Sequence, residues 1–316
     1  MRFLIAALAF VCLSFGQSAA RVYQFKPAQT VQEMQEIATV IRSIADIKEL
    51  SVDAGGRQLS VRGPDPQIAL ADWLFNELDK SPDTVVHEYR VAAGPDSVVR
   101  LFYLPGNLTV QDFQEIVTTV RSITEIRRAV TYNTPRAVVL RGTPEQLVTA
   151  EWMLTQLSGT PTNDRFTVPG TSDAFVRVLT VPNTPTVVDF DEIATLVKAL
   201  SDIGPLFRYN RARAIALRGT SEQIGLAEWL IKELDGLPAP QTASAEYLLP
   251  SQTEGVVKVF YLRNIDNDRS FQQAATFIRS TSRIGRSFTY TARRALAFRG
   301  TSAQIANAER LINERK

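Results

Sequence analysis

Thiols and imidazoles are nearly missing from this chain: its 316 residues hold one cysteine, Cys12, and one histidine, His87. Past residue 20 no cysteine remains. That excludes a disulfide framework, a thiol nucleophile and a thiolate metal site in that part of the chain. His87 falls in a linker beside Glu88, with no second histidine or cysteine to complete a metal site or a nucleophile–base pair. An excess of one charge is lacking too, since 35 basic residues face 33 acidic ones. Such balance argues against a general polyanion binder, which draws on clustered positive charge. Past the first 20 residues, apolar runs are short and broken by charge, so no later segment reads as a membrane span. The expectation is a non-enzymatic protein with no cofactor and no metal, although composition alone does not remove a carboxylate-only hydrolase.

The N-terminus is different in kind. Arg2 precedes an uncharged apolar run from Phe3 to Phe15, closed by Gln17-Ser18-Ala19-Ala20. A basic start, a short apolar run and small residues make a secretory signal peptide over 1–20. As a helix the run spans only about 20 Å, too short for the bilayer core, so cleavage is expected rather than a retained anchor. Cys12 follows the bulky pair Phe10-Val11 and reads as an apolar leader residue, not a lipid-attachment site. The mature chain is expected in the periplasm or outside the cell.

What is present in abundance is repetition. Val61-Arg62-Gly63-Pro64, Leu140-Arg141-Gly142-Thr143, Leu217-Arg218-Gly219-Thr220 and Phe298-Arg299-Gly300-Thr301 are one phrase written four times. The arginines lie 79, 77 and 81 residues apart (62 to 141, 141 to 218, 218 to 299). A fixed period means that each repeat is one supersecondary unit. In the second repeat, Val98 to Leu104 reads as a strand. Val110, Phe113, Ile116, Val117, Val120, Ile123 and Ile126 then make one helical stripe. Two short strands follow, Ala129 to Tyr132 and Ala137 to Leu140, and Thr143-Pro144-Glu145-Gln146 opens a second helix with a capping box. Thr30 to Glu33 and Thr109 to Asp112 open the first helices in the same way. Strand counterparts are Phe175 to Val181 and Val256 to Leu262, with a shorter remnant, Val22 to Phe25, in the first repeat.

The predicted fold is α+β: a tandem array of four βαββα modules, each a small three-stranded sheet with two helices on one face. Their bounds are 21–80, 84–159, 163–237 and 244–316. Tyr89, Phe166 and Tyr247 each stand ten residues before a matching valine (Val99, Val176, Val257), with turn residues between. Modules two to four therefore carry an additional leading strand, hairpinned to the first strand or paired with the preceding module.

The closing phrase of each repeat, Val-Val-Leu-Arg-Gly-Thr-Pro-Glu-Gln in the second, and helices ending in Leu-Asp (Leu78-Asp79, Leu234-Asp235) resemble the periplasmic N-terminal domains of secretins. The stretch Val52 to Gly63 is nearest to that wording. The resemblance runs through all four repeats. It implies strand-helix-strand-strand-helix units that stack into rings in secretion and pilus machines. No long amphipathic β-region follows the fourth repeat, so the resemblance covers the N-domain modules and not the secretin pore. It implies a scaffold or protein-binding role in the bacterial cell envelope, with protein partners or self-assembly. The sheet unit is also distantly similar to KH-type RNA binders, but no Gly-x-x-Gly loop joins two helices here.

Seven residues stand out as a candidate interface. Trp73, Trp152 and Trp229 share one repeat position, where the fourth copy has Arg310. At 100° per residue Trp73 lies about 140° from Ile68, off the core stripe of its helix. Contact with the next module or a partner competes with a wide core stripe, and the loss of Trp in the last copy favours intermodule contact. Arg62, Arg141, Arg218 and Arg299 close the third strand, Arg57, Arg136, Arg213 and Arg294 sit in the hairpin, and Arg42, Arg121, Lys198 and Arg279 end the first helix. As phosphate clamps they would make a nucleic-acid binder, the alternative function. The favoured reading pairs the strand arginines with local carboxylates or carbonyls and the helix-end cations with the helix dipole. Asp112, Glu115 and Glu192 fall on helix starts or polar faces, where capping and solvation explain them.

A module of about 60 residues buries only about 60% of its unfolded surface, and no disulfide compensates. Residues 84–159 expressed alone are therefore expected to melt well below the whole protein. Equal midpoints in thermal unfolding would show independent beads.

Overall fold

The computed structural model describes residues 18–314 except 84, 93, 163, 172, 237–242, 251, 263 and 266. Most of the leader assigned to 1–20 lies outside the described residues. The first repeat is β1 (Ser18–Gln24), α1 (Val31–Ile44), β2 (Glu49–Asp53), β3 (Gln58–Pro64) and α2 (Asp65–Leu78). The second is β4 (His87–Arg90), β5 (Val98–Tyr103), α3 (Val110–Thr124), β6 (Arg128–Tyr132), β7 (Ala137–Gly142) and α4 (Pro144–Ser158). The third is β8 (Arg165–Thr167), β9 (Phe175–Thr180), α5 (Val187–Ser201), β10 (Leu206–Tyr209), β11 (Ala214–Gly219) and α6 (Ser221–Asp235). The fourth is β12 (Tyr247–Leu248), β13 (Val256–Tyr261), α7 (Asp268–Ser282), β14 (Arg286–Tyr290), β15 (Ala295–Gly300) and α8 (Ser302–Asn313).

Local chemistry accounts for the helix starts. Thr30, Thr109, Thr143, Thr186, Thr220 and Thr301 each form a complete capping box with the residue three positions on. Each box satisfies two backbone donors that a helix start would leave open. The hairpin between the last two strands turns through a left-handed residue, and it is an arginine each time: Arg57, Arg136, Arg213 and Arg294, at φ 52°, 55°, 47° and 53°. That strained conformation is held by the guanidinium. Arg57 reaches the carbonyls of Lys26 and Gln29, and Arg213 that of Thr186 at 3.0 Å.

The sheets follow the expected unit of three strands with an additional leading strand in the second, third and fourth repeats. Among the described residues the first sheet has three strands, in order β1-β3-β2, and the others have four: β4-β5-β7-β6, β10-β11-β9-β8 and β12-β13-β15-β14. The added strands are the leading ones, each hairpinned to the strand after it. The ten-residue spacing is their register: Tyr89 pairs with Val99, Phe166 with Val176 and Tyr247 with Val257. In the first repeat, the strand read as a remnant from Val22 begins earlier, at Ser18, and pairs with β3 along seven residues. His87 is not in a linker but is the first residue of β4.

The chain forms two compact units. One comprises the described residues up to Tyr103 with Arg128–Arg141; the other comprises Leu104–Arg127 with the described residues from Gly142 onward. In the first unit, the core of α1, α2 and their sheet continues into Val99, Leu101, Tyr132, Ala137 and Val139 of the second repeat's sheet. In the second unit, the core of α5 and α6 continues into Val257, Val259, Tyr261, Tyr290, Ala295 and Ala297 of the fourth sheet. The alternate residues Val256, Phe260, Leu296 and Phe298 pack with α7 and α8 instead. Strands β13 and β15 are consequently buried on both faces. The first sheet is not: β3 alternates exposed and buried, and β2 leaves Glu49, Ser51 and Asp53 exposed.

Val139 and Ser60 occupy equivalent places, three residues past Arg136 and Arg57, yet Val139 is fully buried and Ser60 exposed. Val139→Asp is therefore expected to cost at least about 3 kcal/mol by stranding a charge in an apolar layer. Ser60→Asp should stay within about 0.5 kcal/mol. Urea unfolding of the two variants checks this, and a small cost for Val139→Asp would contradict the shared core.

Candidate interaction surface

The first helix of each of the first three repeats ends against the sheet of the next: α1 packs on β6, α3 on β10 and β11, and α5 on β14 and β15. At that helix end the closing arginine of the next repeat arrives. Arg141 Nη1 donates to the Ile44 carbonyl at 2.7 Å and lies 3.5 Å from Asp46. Arg218 Nη1 donates to the Ile123 carbonyl at 3.3 Å, with Glu125 at 3.7 Å. Arg299 donates to the Leu200 carbonyl and pairs with Asp202 at 3.0 Å. Arg141 and Arg299 also turn Nε onto a carbonyl of their own repeat, Asp96 and Glu254, each at 3.1 Å. The expectation of local carboxylates or carbonyls fails here, because the partner is the helix end of another repeat: Arg141 and Ile44 are 97 residues apart. Arg62 has no counterpart helix before it among the described residues, and its side chain is exposed.

The acidic residue at each helix end is part of the same device. Asp46, Glu125 and Asp202 have left-handed backbones, with φ 57°, 60° and 55°. A carboxylate beside a helix C-terminus opposes the dipole, and a left-handed non-glycine residue is strained. Both costs are offset where a guanidinium sits between carboxylate and carbonyl. A second cation joins at two junctions, with Arg128 at 2.8 Å from Asp46 and Arg286 at 2.7 Å from Asp202. Burial draws the Arg299 pKa down, and the nearby Asp202 carboxylate pulls it back up.

One helical turn or more earlier lies a second contact that capping and solvation do not explain. Glu36 accepts from the backbone and side-chain amides of Asn133 at 2.8 and 2.9 Å. Glu115 accepts in the same way from Asn210 at 3.1 and 2.9 Å, and Glu192 accepts from the backbone and hydroxyl of Thr291 at 2.8 and 3.1 Å. Burial pushes the Glu115 carboxyl up, against the hydrogen bonds that hold it ionised. Beside these hairpins Tyr132, Tyr209 and Tyr290 are buried, and burial pushes each phenol up to about 12. Asp112 both closes the capping box of α3 and accepts from Arg211 at 3.0 Å.

The tryptophans meet the leading strands. Trp73 lies 5.4 Å from Tyr89, Trp152 stacks on Phe166 at 5.1 Å, and Trp229 lies 5.3 Å from Tyr247, all three half-buried. Arg310, at the fourth position, instead pairs with Glu314 at the C-cap of its own helix. His87 sits between Glu77 and Asp83, 2.9 and 3.0 Å away. Among the described residues no cluster of three or more His, Cys, Asp or Glu could hold a metal ion, and no helix is long and apolar enough to cross a membrane.

No family model matches the sequence, and no curated protein does. Solved structures similar to this chain include Aeromonas hydrophila ExeD, at 14% identity and a TM-score of 0.18, covering 70% of this chain and 42% of that one. The N-terminal domain of the secretin XcpQ from Pseudomonas aeruginosa is similar at 14% identity and a TM-score of 0.20, covering 45% of this chain and 63% of that one. The complex of a/eIF2alpha, aDim2p and rRNA from Pyrococcus horikoshii OT3 gives 11% identity and a TM-score of 0.27, covering 44% of this chain and 86% of that one. The chain thus spans less than half the length of ExeD.

Arg299→Ala leaves the Leu200 and Glu254 carbonyls short of a donor and is expected to cost about 2 kcal/mol or more. Arg62→Ala, at the same repeat position but exposed, should stay within about 0.5 kcal/mol. Chemical denaturation of both variants checks the contrast; equal effects would remove the junction from the account of stability.

Proposed function

We propose that this chain is a non-enzymatic, exported scaffold or protein-binding component of the bacterial cell envelope, acting in a secretion or pilus assembly. The leader pattern supports export, and the wording of the repeats, similar to secretin N-domains, supports the assembly role. The observation that carries the reading is how the repeated cations are used. Arg141, Arg218 and Arg299, which a nucleic-acid binder would turn toward phosphates, donate into the helix end of the preceding repeat. They hold modules together, as does each Trp against the next leading strand. In this reading the modules are 21–80, 84–159, 163–237 and 244–316; of the seven interface residues, Trp73, Trp152, Trp229, Arg141, Arg218 and Arg299 serve junctions, and Arg62 faces outward.

Cell fractionation with N-terminal sequencing tests this. The expected product is a periplasmic or extracellular chain starting near Arg21, and full-length protein with its leader intact in the cytosol would overturn the reading. A salt-dependent mobility shift of RNA or DNA by the purified protein would favour the nucleic-acid alternative instead.

A further inference from the structure

Two grooves in the second unit are built from the same repeat positions. The first, of about 450 Å³, is lined by Glu115, Thr195, Lys198, Phe207 and Arg208 among others. The second, of about 410 Å³, is lined by Glu192, Thr276, Arg279, Phe288 and Thr289 among others. Counted from the shared isoleucine after the first helix (Ile126, Ile203, Ile284), these residues correspond one to one. Each groove has a carboxylate on one helix wall, a cation on the other, and a half-buried phenylalanine on the floor. Lys198 and Arg279 are exposed.

The floor of each groove is a strand edge. Leu206, Phe207 and Arg208 are consecutive in β10, and Ser287, Phe288 and Thr289 in β14. Both strands are outermost in their sheets. Such an edge presents backbone donors and acceptors that call for another strand. At the opposite edges these sheets already take short strands from the chain itself, β8 of three residues and β12 of two. We propose that the two grooves bind extended polypeptide segments of a partner protein, each added as a further strand along β10 or β14. The inference rests on the protein-binding reading above and deepens it.

The walls specify the chemistry of the segment. In the fourth sheet, α5 covers one face and α7 the other, since Ala295 and Ala297 pack with α5 while Leu296 and Phe298 pack with α7. Successive residues of an added strand point to opposite faces. One set therefore meets Glu192 on α5, and the alternate set meets Arg279 on α7. The same holds for the third sheet, with Glu115 on α3 and Lys198 on α5. A segment alternating basic and acidic residues fits both, with main-chain bonds supplying affinity and the alternate side chains specificity.

Selection of a phage-displayed random peptide library against the purified protein tests the proposal. Enriched peptides are expected to alternate basic and acidic residues. When added as synthetic peptides they should slow amide hydrogen exchange at Arg208, Ser287 and Thr289, whose amides point away from the neighbouring strands β11 and β15. They should bind the double variant Lys198→Glu, Arg279→Glu at least tenfold more weakly, and circular dichroism of that variant should match the parent. Peptides that bind the variant equally well, or that leave those outward amides unprotected, would overturn the groove assignment, as would a selection that enriches nothing. None of those outcomes touches the export and nucleic-acid tests, so failure here is distinguishable from failure of the scaffold reading.

Discussion

A sheet of three or four strands buries apolar residues on both faces only if something covers each, and two helices cover one face. In this protein the helices of one repeat cover a face of the next repeat's sheet, as Val99, Leu101 and Val139 show in the first unit and Val257, Val259 and Ala297 in the second. Burying a side chain of this size removes it from water at roughly 25 cal/mol per Å² of apolar area. No single hydrogen bond competes with that sum. The second face is the constraint from which the other junction features follow.

Apolar contact is non-directional, so something else must set the register between repeats. The arginine and glutamate contacts do this. A helix end exposes carbonyls without intrahelical donors. Glutamine side chains of the same repeat supply some of these donors, as when Gln223 reaches the Asp202 carbonyl at 2.7 Å. The arginine of the next repeat supplies another, to Leu200. Glu192, nearer the helix start, fixes the hairpin at Thr291. Two polar contacts at separate points of one helix leave little freedom to slide or rotate. Their net energies are modest, but a missing partner would leave a buried polar group unsatisfied, and that asymmetry penalises every other register.

How much of this could be read from the residues depends on where the partner is written. The period, the capping boxes and the leading hairpins are all local, and the ten-residue interval from Tyr89 to Val99 proved to be a strand register. The arginines were visible as a repeated position, but their target is a backbone carbonyl, which every residue carries and no letter marks. Glu115 and Glu192 looked like solvated helix residues because their partners lie 95 and 99 positions away. A signal existed: Glu36, Glu115 and Glu192 recur at intervals of 79 and 77 (36 to 115, 115 to 192), the intervals of the first three arginines. A polar-face residue with no helical reason to recur at the repeat period is a candidate for contact between repeats.

The end repeats depart from this rule on both sides of the junction. Where later sheets carry Tyr132, Tyr209 or Tyr290, the first has Asp53, and where they carry Val130, Phe207 or Phe288 it has Ser51. Where the earlier helices carry Glu36, Glu115 and Glu192, the fourth has Gln273, and the acidic helix-end residue becomes Arg283, still left-handed at φ 56°. The backbone of the junction is kept while its chemistry is withdrawn. A helix pair laid on the first sheet would cover serine, glutamine and aspartate rather than an apolar layer. An arginine brought to the end of α7 would meet another cation. The substitutions in the first and fourth repeats thus fall on the very positions that make the junctions between the others.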